Sequence, residues 1–335
     1  MRGFSAKIII CLVMALGALW VFGPREPASL QIDYSRIAIP DDVDAYLSIA
    51  EARFDDIVPG TNKRVYWFGI PGKKTRVAIV YIHGFSASSE ELRPVPDLVA
   101  EALGANLYFT RLTGHGRGSV AMAEADVASW MQDVGEAMVI GRSIGEKVLI
   151  ISTSTGATLA AAAALDDATM ENVGGLIFVS PNFGINNRAA SLLAWPFARY
   201  WLPLILGESR NSEPRNILHA RYWTNTYPTT ALLPMAALVE AVMEEDFSRM
   251  SVPALFYYSM DDLVVDPTET AAFADKWGGA VTFVHPQLGN GDDEYAHIIA
   301  GDIVSPQQTG FAVEEMLRWL SAQPGWPASG RYGIE

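Results

Sequence analysis

Ser143 lies in GRSIG, a literal G-x-S-x-G, and Ser154 lies in STSTG, where Ser152 takes the place of the first glycine. A serine hydroxyl is a weak nucleophile. It attacks a carbonyl efficiently only when a sharp strand-to-helix turn presents it to a base, and that turn needs small residues for close backbone packing. Ser143 ends a helical pattern and precedes a strand, so helix-end chemistry is expected there, with Gly145 as the terminator. Ser154 follows the strand-like VLIIS and opens TGATLAAAAAL, with Gly156 at the second small position and Ala157 after it. Strand, turn and helix come in the required order only at Ser154. Taken alone, that residue also reads as an ordinary helix N-cap.

Acyl transfer requires oxyanion donors, a base and an orienting acid beside the nucleophile. The stretch YIHGFSAS (Tyr81 to Ser88) follows an apolar strand and places Gly84 where backbone can approach a substrate. The Phe85 amide is then expected to join the Thr155 amide in holding the tetrahedral oxyanion. In YYSMDDLVVDP both Asp261 and Asp262 leave a late strand, and the spacing Ser259-x-x-Asp262-x-Val264-Val265 favours Asp262. Asp261 stays open as the alternative, and either carboxylate also suits a turn cap. With the acid and base following the nucleophile in order, His285 and His297 are the candidate bases. Pro286 follows His285 directly, a structural signature, whereas His297 in EYAHIIAGD occupies the loop between the last strand and the final helix. His83 and His115 come too early; His83 is expected to brace the oxyanion loop by hydrogen bonding.

These groups need a frame to converge on. Apolar runs at Val65 to Phe68, Val77 to Ile82, Asn106 to Thr110, Val148 to Ser152 and Gly175 to Ser180 alternate with helical patterns. The long helix around ASWMQDVGEAMVIGRSIG carries Trp130, Val134, Met138 and Ile144 as a buried stripe. Short apolar runs without polar alternation predict an α/β fold with a parallel sheet covered on both faces. From about Pro181 to Val252 the regularity gives way to an aromatic-rich insertion; a helical cap over a cleft and a plain hydrophobic subdomain both fit it. Strand and helix patterns return from Ala254 to Leu320. The expected division is residues 1–24 as an N-terminal segment, 25–60 as a connection with a short acidic helix, and 61–325 as the main domain.

The 335 residues are half apolar and carry a net charge of -14 with a pI near 4.8. Such acidity gives no field to attract polyanions, so no nucleic-acid partner is expected. The sole cysteine, Cys11, sits in the N-terminal apolar run, and the five histidines lack close ligand spacing. No disulfide, metal or cofactor is therefore expected in the folded body. Arg2 and Lys7 precede the apolar run Ile8 to Phe22, roughly 22 Å of helix at 1.5 Å per residue. An uncleaved membrane anchor and a signal peptide both fit; the absence of a small-x-small cleavage site favours the anchor. The flanking charges predict a catalytic domain exported to the periplasmic side, or secreted after cleavage.

HGFS, TRLTGHGRG, the helix with ASW, STSTGAT, SMDDLVV and AHIIAGD together resemble the α/β-hydrolase fold superfamily. Within it, the chain from about Val65 to Leu320 is similar to the bacterial esterase and monoacylglycerol lipase-like branch, also grouped with serine aminopeptidases. The resemblance implies a cap inserted after the sixth strand and an acyl-enzyme on Ser154, with His297 as base and Asp262 fixing its tautomer. It further implies a small-molecule acyl ester as substrate, with its apolar group lying beneath the aromatic insertion. Arg111 would touch a polar substrate head or fix its own loop. Amide cleavage and a non-catalytic binding module remain alternatives; the Asp292-Asp293-Glu294 run would hold an amine for the former, though it reads more readily as a solvated loop.

Overall fold

The computed structural model describes residues 17–326 together with Lys7, Cys11, Val13 and Met14. Seven strands form the main sheet: β1 (Arg64–Tyr66), β2 (Thr75–Ile82), β3 (Asn106–Phe109), β4 (Gly145–Thr153) and β5 (Val173–Val179), then β8 (Ala254–Tyr257) and β9 (Val281–Val284). A separate hairpin pairs β6 (Ser209–Asn211) with β7 (Thr226–Pro228). The main order is β1-β3-β2-β4-β5-β8-β9, parallel throughout except for the antiparallel β1–β3 pair.

Side-chain alternation along β2 explains why its run must be apolar on every residue from Val77 to Ile82. Ala78, Val80 and Ile82 face one core with Trp130, Val134 and Met138, as the helical stripe predicted. Val77, Ile79 and Tyr81 face the opposite core with Val95, Val99, Met316 and Leu320. The sheet is thus sealed by helices on both sides, which leaves only its ends open for chemistry.

The helix Val127–Ile144 begins with a reciprocal capping box between Asp126 and Ser129. It ends differently from expectation. Gly145 is extended, at φ -147°, and is already the first residue of β4 rather than a left-handed terminator. Its lack of a side chain serves packing: a Cβ there would lie 2.5 Å from the Ala78 Cβ.

The aromatic insertion leaves the sheet after β5, the fifth strand counted along the described chain, rather than after a sixth. It holds the helices Ala198–Leu206, Ile217–Tyr222 and Leu232–Glu244 and the β6–β7 hairpin. Ile8, Ile9, Ile10, Leu12, Ala15 and Leu16 of the N-terminal apolar run lie outside the described residues. Among the described residues no helix is long and apolar enough to cross a membrane. Near the end of that run Trp20 meets Trp195 edge to face, and just after it the Phe197 amide donates to the Pro24 carbonyl (2.7 Å), joining the segment to the insertion.

Candidate active site

β4 ends at Thr153 and the helix Thr155–Ala164 begins two residues later, so Ser154 must reverse the chain alone. It does so at φ 53° and ψ -120°, a backbone conformation that side-chain-bearing residues rarely adopt. The strain is held by hydrogen bonds: the Ser154 amide donates to the Val179 carbonyl, and its carbonyl accepts from Ala157 and Asn182. Gly156 is obligatory, since a Cβ there would lie 2.3 Å from the Ile82 carbonyl oxygen. The serine at the first small position fits because its buried hydroxyl donates to the Ile177 carbonyl at 3.2 Å.

The structure brings Ser154, His297 and Asp262 into one hydrogen-bonded line. Ser154 Oγ lies 3.0 Å from His297 Nε2, and His297 Nδ1 lies 2.8 Å from Asp262 Oδ2. With Nδ1–H donating to the carboxylate, Nε2 is left to accept the serine proton. Asp262 also caps its turn, because Oδ1 accepts from the Val264 and Val265 amides at 2.8 and 2.9 Å. Both readings of that carboxylate meet in one residue, one oxygen for each. Asp261 is exposed, and the His297 ring bonds Asp262 instead; the Asp261 amide donates to the Ser259 hydroxyl. His285 stays away from this line, its Nδ1 donating to the Tyr258 carbonyl.

Burial alone would lower the His297 pKa. The Asp262 charge and hydrogen bond, aided by Asp293 and Glu91, outweigh it and hold the imidazole above its ordinary value of 6.5. Asp293 is also the anchor of the histidine loop. Its oxygens accept from the amides of Tyr295, His297 and Ile298, and it is paired with Arg215 from the insertion at 2.9 Å. Within the acidic run the central carboxylate is thus buried and fully engaged, while Glu294 stays exposed.

Phe85 and Thr155 line the same cavity as Ser154 and His297, and neither amide donates to an acceptor among the described residues. Two unspent N–H groups beside a serine hydroxyl are what an incipient oxyanion needs. His83 braces this turn as expected. Its Nε2 accepts from the Leu112 amide at 3.0 Å, so its Nδ1 carries the proton and donates to the Gly84 carbonyl at 2.9 Å. Burial, reinforced by nearby His115, keeps its pKa well below 6.5 and the ring neutral.

The cavity measures about 910 Å³. Ile185, Trp223, Tyr227, Leu232, Met235 and Val265 give it apolar walls, while Glu213, Arg215 and Glu294 mark a polar side. Only part of the aromatic insertion faces inward, since Trp195 and Tyr200 are exposed elsewhere. Arg111 is absent from this cavity. It pairs with Glu51 at 2.8 Å and donates to the His115 carbonyl, fixing its loop. Ser143 lies in the last helical turn with its hydroxyl on the Ile140 carbonyl at 2.7 Å. A second cavity, about 550 Å³ beside the helix Val43–Glu51, contains none of the aligned groups, and its Lys63, Arg111 and Arg117 are all ion-paired. Among the described residues no group of three or more His, Cys, Asp or Glu side chains is placed to hold a metal ion.

Three participants have no linear signature. Glu91 in SSEEL reads as a solvated helix start, yet it is buried against the Gly84 turn. Asp293 and Arg215 meet across 77 intervening positions only because the insertion folds back on the histidine loop.

A family model described as serine aminopeptidase, S33, matches residues 73–285. Among solved structures, one reported with the metagenome-derived lipolytic enzymes LipS and LipT is 18% identical, with a TM-score of 0.61, covering 78% of this chain and 98% of its own. A monoglyceride lipase from Saccharomyces cerevisiae, solved as a soluble variant with a substrate analogue, is 11% identical at TM-score 0.58, covering 77% and 90%. The monoacylglycerol lipase of Paleococcus ferrophilus is 16% identical at TM-score 0.53, covering 77% and 96%. At these identities the likeness shows a shared α/β-hydrolase fold. None of the curated proteins matches the sequence significantly.

Proposed function

The chain belongs to the serine aminopeptidase S33 family of α/β-hydrolases, and from that premise we propose that it cleaves carboxylic esters of apolar acyl or alcohol groups through an acyl-enzyme on Ser154. The observation carrying this reading is the unbroken line from Ser154 Oγ through His297 to Asp262, opening onto an apolar-walled cavity. Ser154 Oγ attacks the ester carbonyl carbon while its proton passes to His297 Nε2. The carbonyl oxygen becomes an oxyanion held by the Phe85 and Thr155 amides. Collapse breaks the carbon–oxygen bond of the leaving alcohol, which takes the proton from Nε2. Water, deprotonated by the same nitrogen, then releases the acid and restores the serine.

Ester rather than amide substrates suit the site because the central acid of the Asp292-Asp293-Glu294 run is occupied by backbone amides and Arg215. An amine held there would have to displace those partners. Purified residues 30–335 are expected to hydrolyse short and medium-chain p-nitrophenyl esters far faster than aminoacyl p-nitroanilides. Preferential release of p-nitroaniline would reverse the assignment.

The same reading makes the apolar run Ile8 to Phe22 a membrane anchor that holds the domain on the exported side. Its support is the run itself with Arg2 and Lys7 ahead of it. Full-length protein should sediment with membranes after a high-salt wash, and deletion of residues 1–24 should release it. Recovery of the full chain in the soluble fraction at its uncleaved mass would reject the anchor.

A further inference from the structure

Glu91 is a carboxylate buried to 3% exposure, with no ion-pair partner among the described residues. Burying such a group costs free energy unless its hydrogen bonds compensate. Desolvation pushes its pKa up to about 7, against the pull of the Gly84 amide, the Tyr81 hydroxyl and the His297 charge. What it holds is specific. A single oxygen, Oε1, accepts from the Gly84 amide at 2.6 Å and from the Tyr81 hydroxyl at 2.8 Å. Because the Tyr81 proton is directed to the carboxylate, the Tyr81 oxygen accepts from the Thr153 hydroxyl at 3.0 Å. Thr153 is the residue before Ser154.

We propose that Glu91 is a positioning residue that locks the two donors of the oxyanion hole to one another. One donor, Phe85, belongs to the turn after β2; the other, Thr155, belongs to the turn after β4. The Glu91–Tyr81–Thr153 chain ties these turns across the sheet end. The peptide plane before Gly84 is fixed by Glu91 through its N–H. The plane after it is fixed by His83, which binds the Gly84 carbonyl at 2.9 Å. Within a peptide plane C=O and N–H point oppositely, so pinning the Gly84 carbonyl aims the Phe85 N–H the other way. The fit is close: a Cβ on Gly84 would lie 3.1 Å from Glu91 Oε2 and 3.1 Å from the Ser154 Cβ. Glu91 acts through these groups: it borders the cavity, but among the described residues it hydrogen-bonds neither Ser154 nor His297.

The inference rests on the Ser154 reading, and the test separates the two. Full-length wild type, Ser154→Ala, Glu91→Leu, Glu91→Gln and Tyr81→Phe are compared for ester turnover and for inhibition by an arylboronic acid, a mimic of the tetrahedral adduct. Loss of wild-type activity in Ser154→Ala establishes the nucleophile independently of Glu91. Glu91→Leu should then lose about 100-fold in kcat, comparable to deleting one oxyanion donor, with KM within about threefold and boronate affinity falling in proportion. Glu91→Gln keeps an acceptor oxygen for both donors and should recover kcat to within about tenfold of wild type. A Glu91→Leu kcat near wild type, or a loss carried by KM alone, overturns the proposal. If Glu91→Leu does not fold, an unchanged kcat and boronate affinity in Tyr81→Phe overturns it instead.

Discussion

Ser154→Ala should reduce kcat for ester hydrolysis by roughly 10⁴- to 10⁶-fold while leaving the fold intact, since removing a nucleophile that works with its base removes the whole covalent route. Ser154 is 8% exposed, on a turn whose backbone is shaped by Gly156 and by hydrogen bonds that do not involve Oγ, which bonds His297. Its loss therefore leaves the turn's supports in place. Ser143→Ala is the matched control: among the described residues its hydroxyl bonds only the Ile140 carbonyl, and turnover should be unchanged. Steady-state kinetics with a p-nitrophenyl ester and a thermal melt of each variant decide the matter. Residual activity of Ser154→Ala near wild type would remove the proposed mechanism.

Asp262→Asn should lower kcat by about 10⁴-fold, because an amide at that place can donate to Nδ1 and leave the proton on Nε2, the wrong tautomer for a base. The pH profile supplies a second readout with a definite sign. His297 must be neutral to accept a proton, so activity rises with pH as the imidazolium deprotonates. The native value lies above 6.5, chiefly because the Asp262 charge and hydrogen bond overcome desolvation. Removing that charge lowers the pKa, so the ascending limb of kcat/KM should move to lower pH while its plateau falls. A limb that stays in place would mean that Asp262 does not set the charge of the imidazole.

Much of this frame was legible in the chain because local rules and tertiary packing agree there. The apolar runs of β2, β4 and β5 had no polar alternation, which only a doubly covered sheet accommodates. Ser154 was distinguishable from Ser143 by topology, since a strand-turn-helix order is itself a local pattern. Ser152 broke the small-residue rule at one position, and the structure supplies the missing term: a carbonyl, Ile177, for its hydroxyl. Gly145 misled because a glycine after a helix has two uses, a left-handed cap and close backbone packing, and sequence spacing is the same for both. The carboxylates of Glu91 and Asp293 were hidden for a deeper reason. Both stand in acidic clusters that read as solvated, and their partners come from other elements: the Gly84 turn for one, the inserted Arg215 for the other. The inward share of the aromatic insertion was equally unreadable, since Trp223 and Trp195 differ in place only after the hairpin and helices fold.

The most direct measurement is covalent labelling of the folded, full-length protein with a fluorophosphonate, followed by peptide mapping of the adduct by mass spectrometry. A single adduct on Ser154, lost in His297→Ala although the serine remains, is the predicted result. No adduct on folded protein that is otherwise competent, or an adduct on a different serine, would contradict the account.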